Sequence, residues 1–128
     1  MCRMVAVESQ SIDDNDRQTQ LLRGALDMCL LALLAREPAH GYELVRRMEA
    51  AGFGAISYGT IYPLLTRMRR LDLVAHEQQI SPTGPPRKVY ALTDSGRIHL
   101  DAWQKQWNRF TDTVDAVLCP LDHNPTRS

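Results

Sequence analysis

The sequence predicts a mainly α-helical fold carrying one small β-hairpin. Three observations point there. Apolar residues recur at helical spacing over Leu21–Arg36, His40–Ala51 and Ser57–Leu73. The period changes to two between Val74 and Leu92, on either side of a Pro/Gly cluster. A seam of apolar residues then steps by three and four through the last third of the chain. At 128 residues the chain makes one domain with frayed ends.

Residues 1–18 are polar, with Asp13, Asp14 and Asp16 near their end. They predict a mobile arm, with a helix beginning near Asp14 or Asp16 because acidic residues favour helix starts. Leu21–Arg36 is apolar nearly all round, including Leu22, Leu26, Leu30 and Leu34. A helix of that kind is buried on most sides, and a second subunit is one source of that burial. Pro38 ends it, since the residue before proline avoids the helix. In His40–Ala51, Leu44, Val45, Met48 and Ala51 share a face, and Gly52 supplies the stop.

The third helix, Ser57–Leu73, divides by face. Ile61, Leu64, Leu65, Met68 and Leu71 fall on one side of a helical wheel. Gly59, Tyr62, Pro63, Thr66 and Arg70 fall opposite, flanked by Arg67 and Arg69. Small, polar and basic residues suit close approach to phosphates and base edges; a solvated surface helix is the plain alternative. Tyr62 has a second option, packing inward. Either Ser57 or Thr60 serves as N-cap: Ser57 leaves Pro63 beyond the first turn, whereas Thr60 keeps it inside. Strands follow at Val74–Ile80 and Arg87–Leu92, around Ser81-Pro82-Thr83-Gly84-Pro85-Pro86. Arg87 and Lys88 stand just behind this tip as a candidate phosphate clamp.

Thr93 caps the last helix, with Asp94 in its first turn. Leu100, Trp103, Trp107, Phe110, Val114 and Val117 form its seam, Leu121 continues the spacing, and Pro120 stops the helix. From Asp94 to Cys119 the rod is roughly 39 Å long. Its seam packs either on the chain's own first helix or in a homodimer, against its mate or the mate's N-terminal helix. A small core hardly covers such a rod, which favours the dimer, with Leu22 and Leu26 contributing.

Lys+Arg and Asp+Glu balance at 15 each, but unevenly along the chain. Residues 21–92 hold nine basic and six acidic side chains, so the positive excess surrounds the third helix. Cys2, Cys29 and Cys119 are odd in number, far apart and without a CxxC pair. That fits a reduced, cytoplasmic protein and opposes a disulfide framework or zinc site. Ala25–Ala35 is too short to span a bilayer and contains Asp27, so no membrane role is expected. The N-terminus lacks the pattern of a secretory signal.

Helix, helix, helix, hairpin is the order of a winged helix-turn-helix, with the third helix in the major groove. A two-fold built by the last helix predicts a roughly palindromic operator in double-stranded DNA, its half-sites about one helical turn apart. The expected organisation is an arm (1–18), a winged helix-turn-helix (19–92), a C-terminal dimerisation helix (93–119) and a flexible tail (120–128). Residues 21–44, 57–74 and 84–97 resemble the PadR family of bacterial transcriptional regulators. The most specific marks are His40-Gly41-Tyr42-Glu43, Gly59-Thr60-Ile61-Tyr62-Pro63, and Arg87-Lys88-Val89-Tyr90 with Leu92-Thr93. With one helix after the wing, the chain looks like the short subfamily.

The resemblance implies a dimeric repressor that leaves its operator when a small aromatic, phenolic or drug-like effector binds. It places His40, Gly41 and Tyr42 near a phosphate. Ser57, Tyr58, Gly59, Thr60, Tyr62, Thr66, Arg67 and Arg70 lie in or beside the groove, and Arg87 and Lys88 on the wing. Tyr58 stands where the family often has an acidic residue. A tryptophan stacks on the effector in some members; Trp107, with Trp103 nearby, occupies a comparable place, with dimer packing as its alternative role.

An enzyme is not expected. His40, His76, His99 and His123 are scattered, and no nucleotide-binding or hydrolase motif occurs. Cys29 reads as a core residue. No cofactor is called for, and no Cys/His cluster supports a metal sensor. A winged helix used only for protein contact is the remaining rival; Arg67, Arg70, Arg87 and Lys88 on neighbouring elements oppose it.

Overall fold

The protein is described by a computed structural model covering residues 13–119, with side chains from residue 17. Residues 1–12 of the expected arm and the tail 120–128 lie outside the described residues. Five α-helices and a small antiparallel sheet follow in the order α1 (Asp13–Arg23), α2 (Leu26–Arg36), β1 (Ala39–His40), α3 (Gly41–Met48), α4 (Tyr58–Arg70), β2 (Val74–Ser81), β3 (Gly84–Leu92) and α5 (Asp94–Leu118). A wide turn, Glu49–Phe53, joins α3 towards α4, with Gly52 at φ 109° supplying a conformation that side chains resist.

Helix α1 starts at Asp13, beside the helix start expected near Asp14 or Asp16. The apolar stretch from Leu21 is two helices rather than one, broken at Gly24 and Ala25, whose N–H groups turn back to Leu21 and Leu22 carbonyls. Glycine weakens a helix interior, and apolar periodicity continues through such a break without registering it. Helix α2 then buries Leu26, Leu30, Leu31 and Leu34 against Leu44 and Met48 of α3 and Ile61, Leu65 and Met68 of α4. Each fully enclosed leucine contributes about 1.5–3 kcal/mol.

The sheet has three strands in the order β1-β3-β2, one more than the hairpin predicted. Ala39 pairs with Tyr90 and His40 with Val89. Two residues are too few for a period, so β1 leaves no trace in the hydrophobic pattern; yet it ties the wing to the start of α3. The β2–β3 ladder is interrupted between Gln79 and Ser81. Pro85 and Pro86 occupy β3 beyond the reach of β1, where missing N–H donors cost little.

Ser57 caps α4: its Oγ accepts from Thr60 N–H at 3.2 Å. Pro63 therefore lies inside the helix. The other end closes as a Schellman turn. Leu73 N–H returns to the Met68 carbonyl at 2.9 Å and Asp72 N–H to Arg69 at 3.0 Å. Asp72 holds the left-handed position, at φ 64°. Thr93 caps α5 through Gly96 N–H at 2.9 Å and donates its hydroxyl to the Asp72 carbonyl at 2.7 Å.

Cys119 follows the last turn of α5, its N–H returning to the Asp115 carbonyl at 3.0 Å. Cys29 is a free, half-buried thiol, pushed up from its ordinary value by burial and then by the charge of Asp27.

Candidate nucleic-acid interface

The site begins with a missing side chain. A Cβ on Gly41 would collide with Cε1 at the edge of the Tyr58 ring. Glycine thus lets the ring edge of Tyr58, the first residue of α4, come up against the start of α3. Tyr42 then stacks on Tyr58 with ring centres 4.6 Å apart and planes at 21°. Tyr62 follows at 5.6 Å, tilted by 47°. Lys88 of the wing lies 5.9 Å above the Tyr62 ring, within cation–π range. Tyr90 is buried in the core. Burial, then the neighbouring Tyr62 and Tyr42, hold the Tyr58 hydroxyl above its ordinary value. Burial does the same for Tyr90, aided by Tyr58 and Tyr62 and opposed by Arg69. Both therefore remain protonated at neutral pH.

This ladder forms one wall of an open cavity of about 550 Å³ between α3, α4 and the start of β3. Arg46, Pro85, Pro86, Arg87 and Lys88 line the remainder with His40, and no carboxylate does. His40 caps α3: Nδ1 accepts from Glu43 N–H at 3.4 Å, while Glu43 Oε1 accepts from His40 N–H at 3.2 Å. Its Nε2 lies 3.3 Å from Arg87 Nη1. The structure thus brings His40, Gly41, Tyr42, Tyr58, Tyr62, Arg87 and Lys88 to one surface. Tyr62 is 40% exposed, so it does not pack inward.

Further along α4, Arg67 and Arg70 are exposed, and Thr66 is half-buried. Ser57, Gly59 and Thr60 are exposed, but the Ser57 and Thr60 hydroxyls are 3.1 Å apart and occupied with each other. Sequence reasoning omitted Arg46, although it sits one turn after Tyr42 on the same helix face. It also passed over His76. That ring packs 5.5 Å from Tyr90, and its Nδ1 is enclosed without a hydrogen-bond partner. Desolvation, then Arg69 and Lys88, favour its neutral form.

Residues 30–102 match the transcriptional regulator PadR-like family. The chain belongs to this family. A PadR-like regulator from Bacillus cereus is 37% identical with a TM-score of 0.69, over 77% of this chain and 96% of that one. A PadR family regulator from Eggerthella lenta is 35% identical with a TM-score of 0.75, over 86% and 93%. The negative transcriptional regulator PadR of Bacillus subtilis is 28% identical over 91 residues, which is 70% of this chain and 50% of that protein. The transcriptional regulator YqjI of Escherichia coli is 29% identical over 113 residues, 85% of this chain and 53% of that protein. The chain thus spans about half the length of these last two relatives. These relatives are transcriptional regulators, not enzymes, and the PadR-like chain is a winged helix.

Its α5 seam divides in two. Leu100 and Trp103 pack against the chain's own core, and Leu22 is half-buried beside it. Leu26, named above for a dimer contact, is buried inside the chain at 5% exposure and has no free face to offer. Beyond Trp103 the seam opens: Trp107 is 37% exposed, Phe110 58% and Val117 70%, with Val114 half-buried. A cavity of about 400 Å³ lies where α5 passes the start of α2, lined by Asp27, Met28, Trp103, Trp107 and Phe110 among others. Among the described residues no group of His, Cys, Asp and Glu could hold a metal ion, and no helix is long and apolar enough to cross a membrane.

Proposed function

We propose that this PadR-family regulator is a homodimer that binds a palindromic operator in double-stranded DNA and represses transcription until a small aromatic effector releases it. The observation that carries the DNA-binding reading is convergence. Arg46 of α3 and Arg87 and Lys88 of the wing line an open cavity walled by tyrosines and free of carboxylates, and Arg67 and Arg70 are exposed further along α4. In this reading α4 enters the major groove, with Thr66, Arg67 and Arg70 towards base edges. Ser57, Tyr58, Gly59 and Thr60 lie at the groove's edge. His40, Tyr42, Arg87 and Lys88 hold the flanking backbone.

The exposed apolar run from Trp107 to Val117 supports the dimer, since a row of large apolar side chains marks an association surface. The cavity at Trp103 and Trp107 supports an aromatic effector, because it offers stacking rings beside that surface. Repression is inferred from the family and from the name of the Bacillus subtilis relative.

Selection of duplexes from a random pool, followed by affinity measurements, tests the reading. Arg70→Ala should relax base preference at one or two positions, at about 1–3 kcal/mol each. Lys88→Ala should weaken all sequences alike and flatten the salt dependence by about one unit. Equal, sequence-independent losses from both variants would remove α4 from the groove.

A further inference from the structure

The two contacts of the His40 ring require incompatible protonation. Its Nδ1 accepts the Glu43 N–H that caps α3, at 3.4 Å. Its Nε2 stands 3.3 Å from Arg87 Nη1. A neutral imidazole has one N–H and one lone pair, and a guanidinium has donors only. With Nδ1 accepting, the proton is on Nε2, and Nε2–H meets the Arg87 N–H as donor against donor. The other tautomer would accept from Arg87 but set Nδ1–H against the Glu43 N–H and end the cap. The nearby acceptor, Glu43 Oε1, is 3.5 Å from Nε2, at the limit of a hydrogen bond, and already accepts from the His40 backbone. Two donors therefore stand side by side, one on α3's cap and one on the wing, at the wall of a cavity that also presents Arg46 and Lys88.

We propose that His40 and Arg87 grip a single phosphate of the DNA backbone, Nε2–H and the guanidinium donating to its oxygens. The phosphate supplies a close acceptor shared by both donors, nearer than the Glu43 carboxylate at 3.5 Å, and the capping box favours the tautomer that makes His40 a donor. The start of the helix-turn-helix and the wing are then fastened to the same point on the duplex. This rests on the DNA-binding reading above and adds to it that His40 and Arg87 act as a unit.

The test uses the whole chain and a mixed-sequence duplex of roughly 30 base pairs, long enough for about three helical turns. Anisotropy titrations compare the wild type with His40→Asn, Arg87→Ala, their combination, and Lys88→Ala. Asparagine keeps an acceptor for the α3 cap and lacks the Nε2 donor, so thermal melting should remain near wild type. His40→Asn should weaken binding about tenfold, as loss of a hydrogen bond to a charged group does, without changing the salt slope, because a neutral donor releases no counterion. Arg87→Ala should weaken binding by a similar factor and flatten the slope by about 0.9. The double variant should bind about as well as the weaker single variant. Wild-type affinity in His40→Asn, or losses that multiply in the double variant, would overturn the shared phosphate while leaving the DNA-binding reading intact. Salt-independent binding, untouched by Arg87→Ala and Lys88→Ala alike, would overturn both.

Discussion

Gly41 and Gly96 both exclude a Cβ, yet they guard different things. At Gly41 the obstacle is the Tyr58 ring, a side chain that can swing aside. At Gly96 it is the Leu73 carbonyl, with Leu92 Cδ1 at 2.7 Å, where α5 starts against the end of α4. Backbone cannot yield as a ring can. Gly96→Ala should therefore destabilise the fold by about 2–3 kcal/mol, the cost of overpacking a tight site, measured by urea unfolding. Gly41→Ala should cost less stability but displace Tyr58 and break its stack on Tyr42, lowering DNA affinity about tenfold. Similar stability losses with unchanged DNA binding for Gly41→Ala would mean the tyrosine ladder plays no part in the site. The sequence shows glycine and three tyrosines in the right motifs. It does not show that the rings stack, because that depends on how closely α3 and α4 approach.

Helix ends explain much of what was legible among the elements. Thr93 reads as a cap and acts as one, and of the two hydroxyls the sequence offered for α4, Ser57 is the cap, since a hydroxyl before a helical run meets the first free N–H groups whatever the tertiary context. The C-terminal end of α4 was not legible. Asp72 adopts the left-handed turn position that glycine favours, and only the backbone reveals it. Asp72→Gly keeps the Schellman bonds and the Thr93 contact, none of which uses the Asp72 side chain. It should stabilise the protein by about 0.5–1 kcal/mol, the steric cost of a left-handed side chain less the added freedom of the unfolded chain. A lower melting temperature in Asp72→Gly would show that the carboxylate itself holds the turn. The break at Gly24 and the two-residue β1 escaped the sequence for a related reason: each is too short for a pattern to repeat.

In the whole molecule, the winged helix was legible because three amphipathic helices and an alternating hairpin in that order leave few ways to build one core. The partition of α5 was not. A heptad seam tells which residues face a partner, not whether the partner is the same chain. Here α2 and the core take Leu100 and Trp103, and Trp107, Phe110 and Val117 remain open. Trp107→Glu should accordingly convert a dimer at micromolar concentration into a folded monomer, seen by sedimentation with unchanged helical content. A wild-type monomer under the same conditions would contradict the dimer.

The central claim is that the surface around the tyrosine-walled cavity of α3, α4 and the wing, whose lining holds no carboxylate, binds a DNA backbone. The most direct measurement is the dependence of duplex affinity on salt. Arg46, Arg67, Arg70, Arg87 and Lys88 on each of two chains predict that log K falls steeply and linearly with log salt, with a slope of several units that decreases when Arg87 or Lys88 is removed. Binding that does not change with salt, or a slope indifferent to Arg87 and Lys88, would contradict it.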